Sequence, residues 1–256
     1  KDKLLKMRMT AIEALGKVAS AETLATLRAL LKDERATVSR EAARRLLVVR
    51  DAEALPELLA WALKTATVAD KPGAKDTNAA RSETVAIEAV KFAASTGTLL
   101  EADAVFRALL ELARCKNDLL MREAVAAMAT VAESSHIPAI MDLADDNTYA
   151  YHVLAANVLQ RITLSPTGTL SEFRAWWAQN AKSFGEEQKR DRVEAAARNL
   201  QRSEDNYDRR AAAELIRAAP AGIALVSAAP ILLKHDLARE FSAENLRNWD
   251  SPLALP

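Results

Sequence analysis

Residues 8–15 read RMTAIEAL, a stretch whose altered copies return three times further along the chain. The copies are REAARRL at residues 40–46, TVAIEAV at 84–90 and REAVAAM at 122–128. Apolar or small side chains recur in each copy three and four positions apart, which is the spacing of one face of an α-helix. The sequence therefore predicts one type of amphipathic helix that is used repeatedly.

An alanine in each copy predicts where neighbouring helices approach most closely. These anchor alanines, with two more that continue the series, are Ala11, Ala42, Ala86, Ala124, Ala155 and Ala211. Successive anchors lie 31, 44, 38, 31 and 56 residues apart. A helix pair that repeats every roughly 30 to 45 residues, with loops of variable length, is typical of an α-solenoid. We therefore predict an all-α, right-handed α-solenoid of about five to six helix pairs.

The predicted array divides into two parts. Residues 1–164 are expected to form the regular helix-pair repeats, and residues 165–256 variant repeats with an irregular C-terminal cap, packed on the same solenoid. The second part opens with an aromatic-rich insertion, FRAWWAQNAKSF at residues 173–184, whose aromatic side chains share one helical stripe. Aromatic burial there is expected to close the end of the regular array.

The composition supports the all-α class. Half of the 256 residues are hydrophobic, yet only 5% are aromatic, and the chain has 6 Gly and 8 Pro. β folds need turn residues at every hairpin, whereas Ala and Leu favour helices. The net charge of zero combines +6 over residues 1–50, −7 over residues 51–160 and +1 over residues 161–256. Such a gradient can bias an encounter with a charged partner without specifying one.

The first helix is predicted over residues 3–18. Its inward face is expected to comprise Leu4, Met7, Ala11, Ala14, Leu15 and Val18. Ser20 and Asp51 are expected to cap the helices that follow them, because short polar side chains satisfy the free N–H groups of a first turn. Residues 67–78 predict a polar loop with Pro-Gly at its bend, and a second insertion is predicted at 163–170.

These residues resemble the HEAT-repeat superfamily. The first helix of a HEAT repeat commonly has an apolar residue before Arg, followed by spaced Ala and Leu, as residues 7–15 do. The second helix begins near an apolar residue and Pro, as at Leu55-Pro56 and Ile137-Pro138. The likeness covers residues 3–164 well and residues 204–235 weakly. HEAT arrays generally act as curved binding platforms, so the resemblance implies a scaffold or regulatory adaptor.

Residues 161–177 are similar to a closing segment of bacterial HEAT-repeat proteins. The chain departs from the family pattern just before it, because Ala155-Ala156 is not followed at the usual distance by a second helix. We therefore predict an irregular repeat at this point.

No cofactor or metal site is predicted. His136, His152 and His235 are isolated in the sequence and lack the spacing of metal ligands. Deoxyhypusine hydroxylase, a HEAT-type enzyme, holds iron with His-Glu dipeptides, and none of the three histidines is followed by Glu. P-loop, dinucleotide-binding and serine-hydrolase motifs are also missing from the sequence. The sequence therefore favours a protein that is not an enzyme.

A nucleic-acid interface is the main alternative. Arg40 and Arg44 lie one helical turn apart, with Arg8, Arg35 and Arg45 nearby, which is typical of a phosphate-binding stripe. Alkylpurine DNA glycosylases of the HEAT-like type are similar in helical content and length. The balanced charge favours a solvated helix surface instead, so we expect nucleic acid not to be the partner. A chaperone similar to the HEAT-type phycobiliprotein lyases is a second alternative, without a motif to support it.

The tryptophans offer a possible ligand or peptide pocket, formed by Trp61, Trp176-Trp177 and Trp249. Core packing is the favoured interpretation, because Trp61 follows two leucines on a core-facing stripe. The segments 67–80 and 163–170 are better candidates for contact with another molecule, since insertions on one edge of a solenoid often decorate a binding face.

The sequence predicts a non-catalytic scaffold that mediates protein–protein interaction, as a structural subunit of a larger bacterial assembly. Partners are expected on the concave surface of the second helices, where Arg28 is a further candidate. The candidate partner-binding residues are Arg8, Arg40, Arg44, Glu57, Arg107 and Asp142. The longest uncharged run, residues 218–233, is shorter than the about 20 residues that a membrane span needs. A cytoplasmic location is expected, with the periplasm as alternative because the chain begins with Lys.

Overall fold

The computed structural model describes residues 2–69, 77–96, 102–145, 149–165, 169–219 and 221–232. Regular structure within these ranges is helical, and none of them contains a strand. The chain forms two compact units, residues 1–158 and residues 159–256. The all-α class predicted from the sequence is confirmed.

The described residues of the first unit form a succession of helices. They are α1 (Asp2–Val18), α2 (Ala21–Leu30), α3 (Ala36–Val48), α4 (Leu55–Ala69), α5 (Thr77–Thr96), α6 (Ala102–Ala113), α7 (Asp118–Val131), α8 (Ile137–Asp145) and the greater part of α9 (Tyr149–Thr163). Short 3-10 turns precede α4 and α8. Pro56 and Pro138 lie in the first turns of α4 and α8, where the missing N–H is tolerated.

Local cap chemistry explains where two of these helices begin. The Ser20 side chain accepts a hydrogen bond from the backbone N–H of Thr23 and starts α2. The Asn117 side chain accepts from the backbone N–H of Leu120 and starts α7. Each bond satisfies a donor that the first turn of a helix leaves free. The prediction that Ser20 is a cap is confirmed.

Neighbouring helices of the first unit pack in pairs. Helix α1 contacts α2 and α3, α3 contacts α5, α4 contacts α5 and α6, and α7 contacts α5 and α6. The largest fully buried side chains between them include Leu27, Leu46, Leu58, Leu59, Leu109, Leu112, Met128, Ile137 and Ile140. This pairing, repeated along the chain, is consistent with an α-solenoid.

Four of the six predicted anchor alanines are buried. Ala42, Ala86, Ala124 and Ala155 have no exposed surface, as a position between packed helices requires. The prediction is wrong for the first and the last anchor, since Ala11 and Ala211 are exposed. The residues that follow them, Ile12 and Ala212, are buried instead.

The predicted inward face of α1 is also wrong. Leu4, Met7 and Val18 are 53%, 62% and 67% exposed, and Ala11 and Ala14 are exposed with them. Of the predicted residues, Leu15 alone is half-buried. The stripe that is buried or half-buried comprises Leu5, Met9, Ile12 and Gly16.

Gly16 gives the physical reason for this choice of face. A Cβ atom at Gly16 would lie 2.9 Å from Cδ and 3.1 Å from Cβ of Arg45 on α3. A Cβ atom at this position would require the Arg45 side chain or the helices to shift. The two helices therefore meet along the stripe that contains Gly16.

The second unit has its own core. Its helices are the end of α9, α10 (Leu170–Asn180), α11 (Glu186–Arg202), α12 (Asn206–Ala218), α13 (Ala221–Ser227) and α14 (Ala229–Leu232). Helix α11 packs against α12, α13 and α14. Buried side chains from these elements form one cluster that includes Leu164, Val193, Ala197, Ile216, Ala224 and Leu232. Thr169 and Glu172 form a reciprocal capping box at the start of α10.

The two predicted insertions are shorter than expected. Helix α4 runs to Ala69 and α5 begins at Thr77, so the ends of the predicted loop 67–78 are helical. Helix α9 includes Thr163 and α10 begins at Leu170, which shortens the insertion 163–170 in the same way. The middle parts, residues 70–76 and 166–168, lie outside the described residues, as do His235 and Trp249.

Candidate interaction surfaces

Three arginines of the predicted basic stripe already bind carboxylates of the chain. Both Nη2 and Nε of Arg44 bind the Glu41 carboxylate, at 2.6 and 3.0 Å, and Arg45 Nε lies 2.8 Å from Glu41 Oε1. Arg45 also reaches Glu13 of α1 at 3.8 Å. Arg8 lies 3.9 Å from Asp33. The stripe is therefore a network of ion pairs that ties α3 to α1.

The pKa values of Glu41 and Arg44 are shifted because the two side chains are paired. Burial raises the pKa of Glu41, but the hydrogen bonds from Arg44 and Arg45 outweigh it and hold that pKa below its usual value. The same bond to Glu41 raises the pKa of the Arg44 guanidinium. A phosphate group would have to compete with Glu41 for both arginines. Arg40 is half-buried and is engaged with other groups of the chain as well.

Arg28 forms a bidentate ion pair with Asp51. Its Nε and Nη2 atoms each lie 2.7 Å from one oxygen of Asp51, and Nη2 lies 2.9 Å from Glu53. The hydrogen bond to Asp51 raises the pKa of Arg28 more than burial lowers it. The two parallel bonds join α2 to the turn before α4.

This pair corrects the role predicted for Asp51. Asp51 stands at the N-cap position of the turn Ala52–Ala54, but its side chain makes no cap hydrogen bond. Both carboxylate oxygens bind Arg28 instead, and the residue is buried. Arg28 is correspondingly a structural residue, because removing it would leave a buried carboxylate unpaired.

The other candidates lie separately along the second helices of the pairs. Glu57 is half-buried on α4, Arg107 is exposed on α6, and Asp142 is exposed on α8. Arg107 Nε donates to the backbone carbonyl of Asp103 on its own helix at 3.2 Å. Within the described residues no ion pair or hydrogen bond joins these three side chains to one another. The three side chains differ in charge, and their predicted role in binding a partner stays a prediction.

His136 belongs to a cluster that the sequence did not indicate. Its ring stacks on Phe106 with centroids 3.9 Å apart. Nδ1 accepts a hydrogen bond from the backbone N–H of Glu133 at 2.9 Å, so the proton lies on Nε2, which donates to Asp103 Oδ1 at 2.9 Å. The ring thereby joins the start of α8 to α6. In the sequence, this arrangement is indicated only by the spacing of three residues between Glu133 and His136, which is typical of a helix cap.

The second unit carries a cluster of aromatic rings with one arginine. Phe173 is buried, whereas Trp176, Trp177 and Phe184 are half-buried, and adjacent ring centroids lie 5.5 to 6.2 Å apart. The Arg192 guanidinium lies 4.6 Å from the Trp176 ring and 5.8 Å from the Phe184 ring. The predicted single helical stripe ends early, because α10 stops at Asn180 and Phe184 joins the cluster from the following turn.

Arg192 anchors this aromatic cluster to the end of α9. Its Nη1 donates to the Thr163 carbonyl at 2.8 Å. Burial lowers the pKa of the guanidinium. The guanidinium contacts aromatic rings through cation–π interactions and donates to one carbonyl. This is packing of the kind predicted for Trp176 and Trp177. Trp61 is buried in the first unit, where its Nε1 donates to Ser39 Oγ at 3.2 Å.

Within the described ranges no group of three or more His, Cys, Asp or Glu side chains has an arrangement that would hold a metal ion. None of the helices formed by the described residues combines the length and the apolar character that a membrane crossing requires. The Cys115 thiol is half-buried and donates to the Asn117 carbonyl at 3.6 Å.

Paired helices and recurring buried alanines define the chain as an all-α helical-repeat protein. Residues 2–70, which span α1 to α4, match the family model of HEAT repeats, and the resemblance read from the sequence is confirmed there. No curated protein matches the chain. Among solved structures, the crystal structure of an engineered protein is 20% identical over 88% of this chain and 95% of that chain, with a TM-score of 0.34. A TM-score of this size says nothing further about the fold.

Proposed function

We propose that the chain is a non-catalytic HEAT-repeat scaffold that binds other proteins, as a subunit of a larger assembly. The observation that carries this proposal is the HEAT match over residues 2–70 in a chain whose helices pack in successive pairs. HEAT repeats generally serve as protein-interaction modules. Stacked helix pairs expose a row of side chains at regular intervals, which suits an extended protein partner.

The row formed by Glu57, Arg107 and Asp142 is the proposed contact surface. The three residues lie on α4, α6 and α8, the second helices of successive pairs. Because Arg107 and Asp142 are exposed, changing their charge leaves the core intact. Alternating charge along a row gives specificity more than affinity, since a partner must match the order of the signs.

The test is purification of partners with a charge-exchanged chain as comparison. Arg107→Glu combined with Asp142→Lys is expected to reduce the amount of stoichiometric partner recovered by about tenfold or more. Glu186→Lys combined with Arg190→Glu is the matched control, because both residues are exposed on α11, pair with each other across one helical turn, and leave the net charge again unchanged. Equal recovery with both variants would remove the row from the proposal. Recovery of the chain alone from its native source would count against the scaffold itself.

The same preparation distinguishes the alternative functions. A DNA glycosylase or other nucleic-acid protein would be retained on DNA at low salt and released as salt rises. A phycobiliprotein-lyase-like chaperone would carry a pigment or its acceptor protein. The pairing of Arg44 and Arg45 with Glu41 supports the scaffold over the nucleic-acid alternative.

A further inference from the structure

Helix α1 carries two apolar stripes, and one of them faces solvent. The exposed stripe comprises Leu4, Met7, Ala11, Ala14 and Val18. Its members alternate by three and four positions, which is the a/d repeat of a coiled-coil seam. The stripe is independent of the α1 side that packs on α2 and α3. Exposed contiguous apolar surface of this kind marks an interaction site in a folded protein.

Basic side chains flank this seam on both sides. In the heptad that places Leu4 at position a, Lys3 and Lys17 occupy g positions and Arg8 occupies an e position. The remaining e and g residues, Thr10 and Leu15, are uncharged. Two of these side chains also pair with carboxylates of the chain: Arg8 lies 3.9 Å from Asp33, and Lys17 lies 3.3 Å from Glu13. Lys17 stays 72% exposed in its pair, so its charge is open to a partner.

We propose that the exposed seam of α1 binds an amphipathic helix of a partner protein whose flanking residues are acidic. This inference rests on the scaffold function proposed above and names one of its binding surfaces. Residues at e and g positions choose the partner of a coiled-coil seam by their charge. Glu or Asp opposite Lys3, Arg8 and Lys17 forms pairs of unlike charge across the seam. The partner helix inserts its own apolar a and d side chains between Leu4, Met7 and Val18.

A second copy of the chain fits this seam poorly. In an antiparallel pair of α1 helices Lys3 of one copy would face Lys17 of the other. In a parallel pair Lys3 would face Arg8. Both arrangements place like charges opposite each other, which disfavours the pair.

A lipid surface also fits less well than a helix. Helices that lie in a membrane interface present a broad apolar face with large residues such as Trp, Phe and Leu. The seam of α1 is narrow, and two of its five members are alanines. Small side chains between larger ones suit close helix packing. The occupant we assign is therefore a protein helix.

Two synthetic helical peptides test the assignment with the full chain. Both have three heptads with Leu at every a and d position, and one has Glu and the other Lys at every e and g position. At low salt we expect the acidic peptide to bind about tenfold or more tightly than the basic one, measured by fluorescence anisotropy. The preference should shrink as salt screens the flanking charges.

Variants of α1 give the test its controls. Met7→Asp is expected to weaken binding of the acidic peptide at least about tenfold, because it places a charge in the seam. Leu119→Asp is the matched control, since Leu119 is 50% exposed in the first turn of α7 and lies outside the seam. Lys3→Glu with Lys17→Glu is expected to shift the preference toward the basic peptide. Circular dichroism confirms that each variant keeps the helical content of the parent.

Several outcomes would overturn the assignment. Equal binding of both peptides, or no binding of either, removes the acidic helix as occupant. A concentration-dependent dimer in sedimentation that Met7→Asp abolishes would assign the seam to a second copy. Binding to anionic phospholipid vesicles that Met7→Asp abolishes would assign it to a membrane surface. If neither peptide binds while Arg107→Glu with Asp142→Lys still reduces the recovery of a partner, the proposed scaffold function is retained. Only the assignment of the seam is then rejected.

Discussion

Glu41 accepts hydrogen bonds from two arginines, and this makes stability depend on its charge. Because the pKa of Glu41 is lower in the folded chain than in the unfolded chain, its ionised form favours folding. That contribution is complete above the unfolded pKa of the carboxyl group. It is lost as the pH falls through the lower pKa of the folded state.

We expect Glu41→Gln to reduce the free energy of unfolding by about 1–2 kcal/mol at neutral pH. The difference from the parent should shrink as the pH falls through the acid range in which Glu41 titrates. Urea unfolding across that range measures it. Glu22→Gln, an exposed carboxylate on α2, is the control and should change the stability little. A difference that stays constant with pH would contradict the pairing of Glu41 with Arg44 and Arg45.

His136 supports the start of α8 through one nitrogen and contacts α6 through the other. His136→Ala removes the acceptor for the Glu133 N–H and the ring that stacks on Phe106. We expect a loss of about 1–2 kcal/mol in the free energy of unfolding. Asp103→Asn is the control, since the amide oxygen can still accept from Nε2.

The tautomer of His136 gives an independent check of the same geometry. Nitrogen chemical shifts of the imidazole should report the proton on Nε2 at neutral pH. A proton on Nδ1 would be incompatible with the hydrogen bond from the Glu133 backbone. Sequence rules missed this residue because its partners, Phe106 and Asp103, lie about 30 residues earlier in the chain.

Asp51 shows the same limit for a residue that the sequence rules did single out. Its position before a turn predicts a cap, and the backbone does occupy that position. Its carboxylate binds Arg28, 23 residues away, because a buried carboxylate gains more from a bidentate guanidinium than from one N–H. Ser20 is exposed and has no such competitor, so its predicted cap is confirmed.

At the scale of the element, α1 shows what periodicity can and cannot predict. Apolar spacing correctly predicts a helix over residues 3–18, since α1 covers Asp2–Val18. Two stripes of the helix have small or apolar residues at helical spacing, and the predicted one is exposed. The close contact between Gly16 and Arg45 determines which stripe is buried. Neither residue is apolar enough to enter a pattern of hydrophobic positions. In α3 the predicted anchor Ala42 is buried as expected.

The contact between Gly16 and Arg45 leads to a prediction about α1 and α3 together. Alanine favours a helix over glycine by about 1 kcal/mol at an exposed site. At Gly16 the new Cβ would meet the stem of Arg45 at 2.9 to 3.2 Å, and one of those atoms is the Arg45 Cβ itself. We therefore expect Gly16→Ala to lower the free energy of unfolding by about 1–2 kcal/mol despite its helix propensity.

A double-mutant cycle measures how much of this cost comes from Arg45. In the Arg45→Ala background the Cγ and Cδ atoms are gone, and Gly16→Ala should cost at least about 0.5 kcal/mol less. Thermal unfolding of the four chains provides the cycle. Strict additivity of the two substitutions would mean that the Arg45 side chain moves aside freely.

At the scale of the molecule, the sequence predicts the repeated helix pairs better than the surfaces between them and their partners. Recurring alanines and proline positions are local features that the fold repeats, so Ala86, Ala124, Pro56 and Pro138 were placed correctly. Charged residues carry no such periodicity. Arg44 was expected to be available to a partner, but it binds Glu41, three residues earlier in the chain. The same spacing also occurs between charged side chains that face solvent, so the sequence does not reveal the bond. Which charged side chains are available to a partner is therefore decided by three-dimensional contacts that the sequence pattern does not show.

The division into two units leads to a last prediction about cooperativity. The buried cluster around Val193 and Ile216 draws its members from residues 164–232, within the second unit. Ile216→Ala removes a fully buried side chain from this cluster and is expected to cost about 2–4 kcal/mol. In chains built from successive helix pairs, the free energy of unfolding is largely the sum of contributions from each pair and from its contacts with the neighbouring pairs.

Hydrogen exchange read by mass spectrometry locates where that loss appears. After Ile216→Ala, peptides of α11 and α12 should exchange faster by more than about tenfold, because each 1.4 kcal/mol of opening free energy corresponds to a factor of ten. Peptides of α3 and α5 should keep the exchange rates of the parent. Leu46→Ala on α3 is the reciprocal variant, and it should accelerate exchange in α3 and α5 while α11 and α12 stay protected. Faster exchange throughout the chain in either variant would show that the two cores open as one cooperative body.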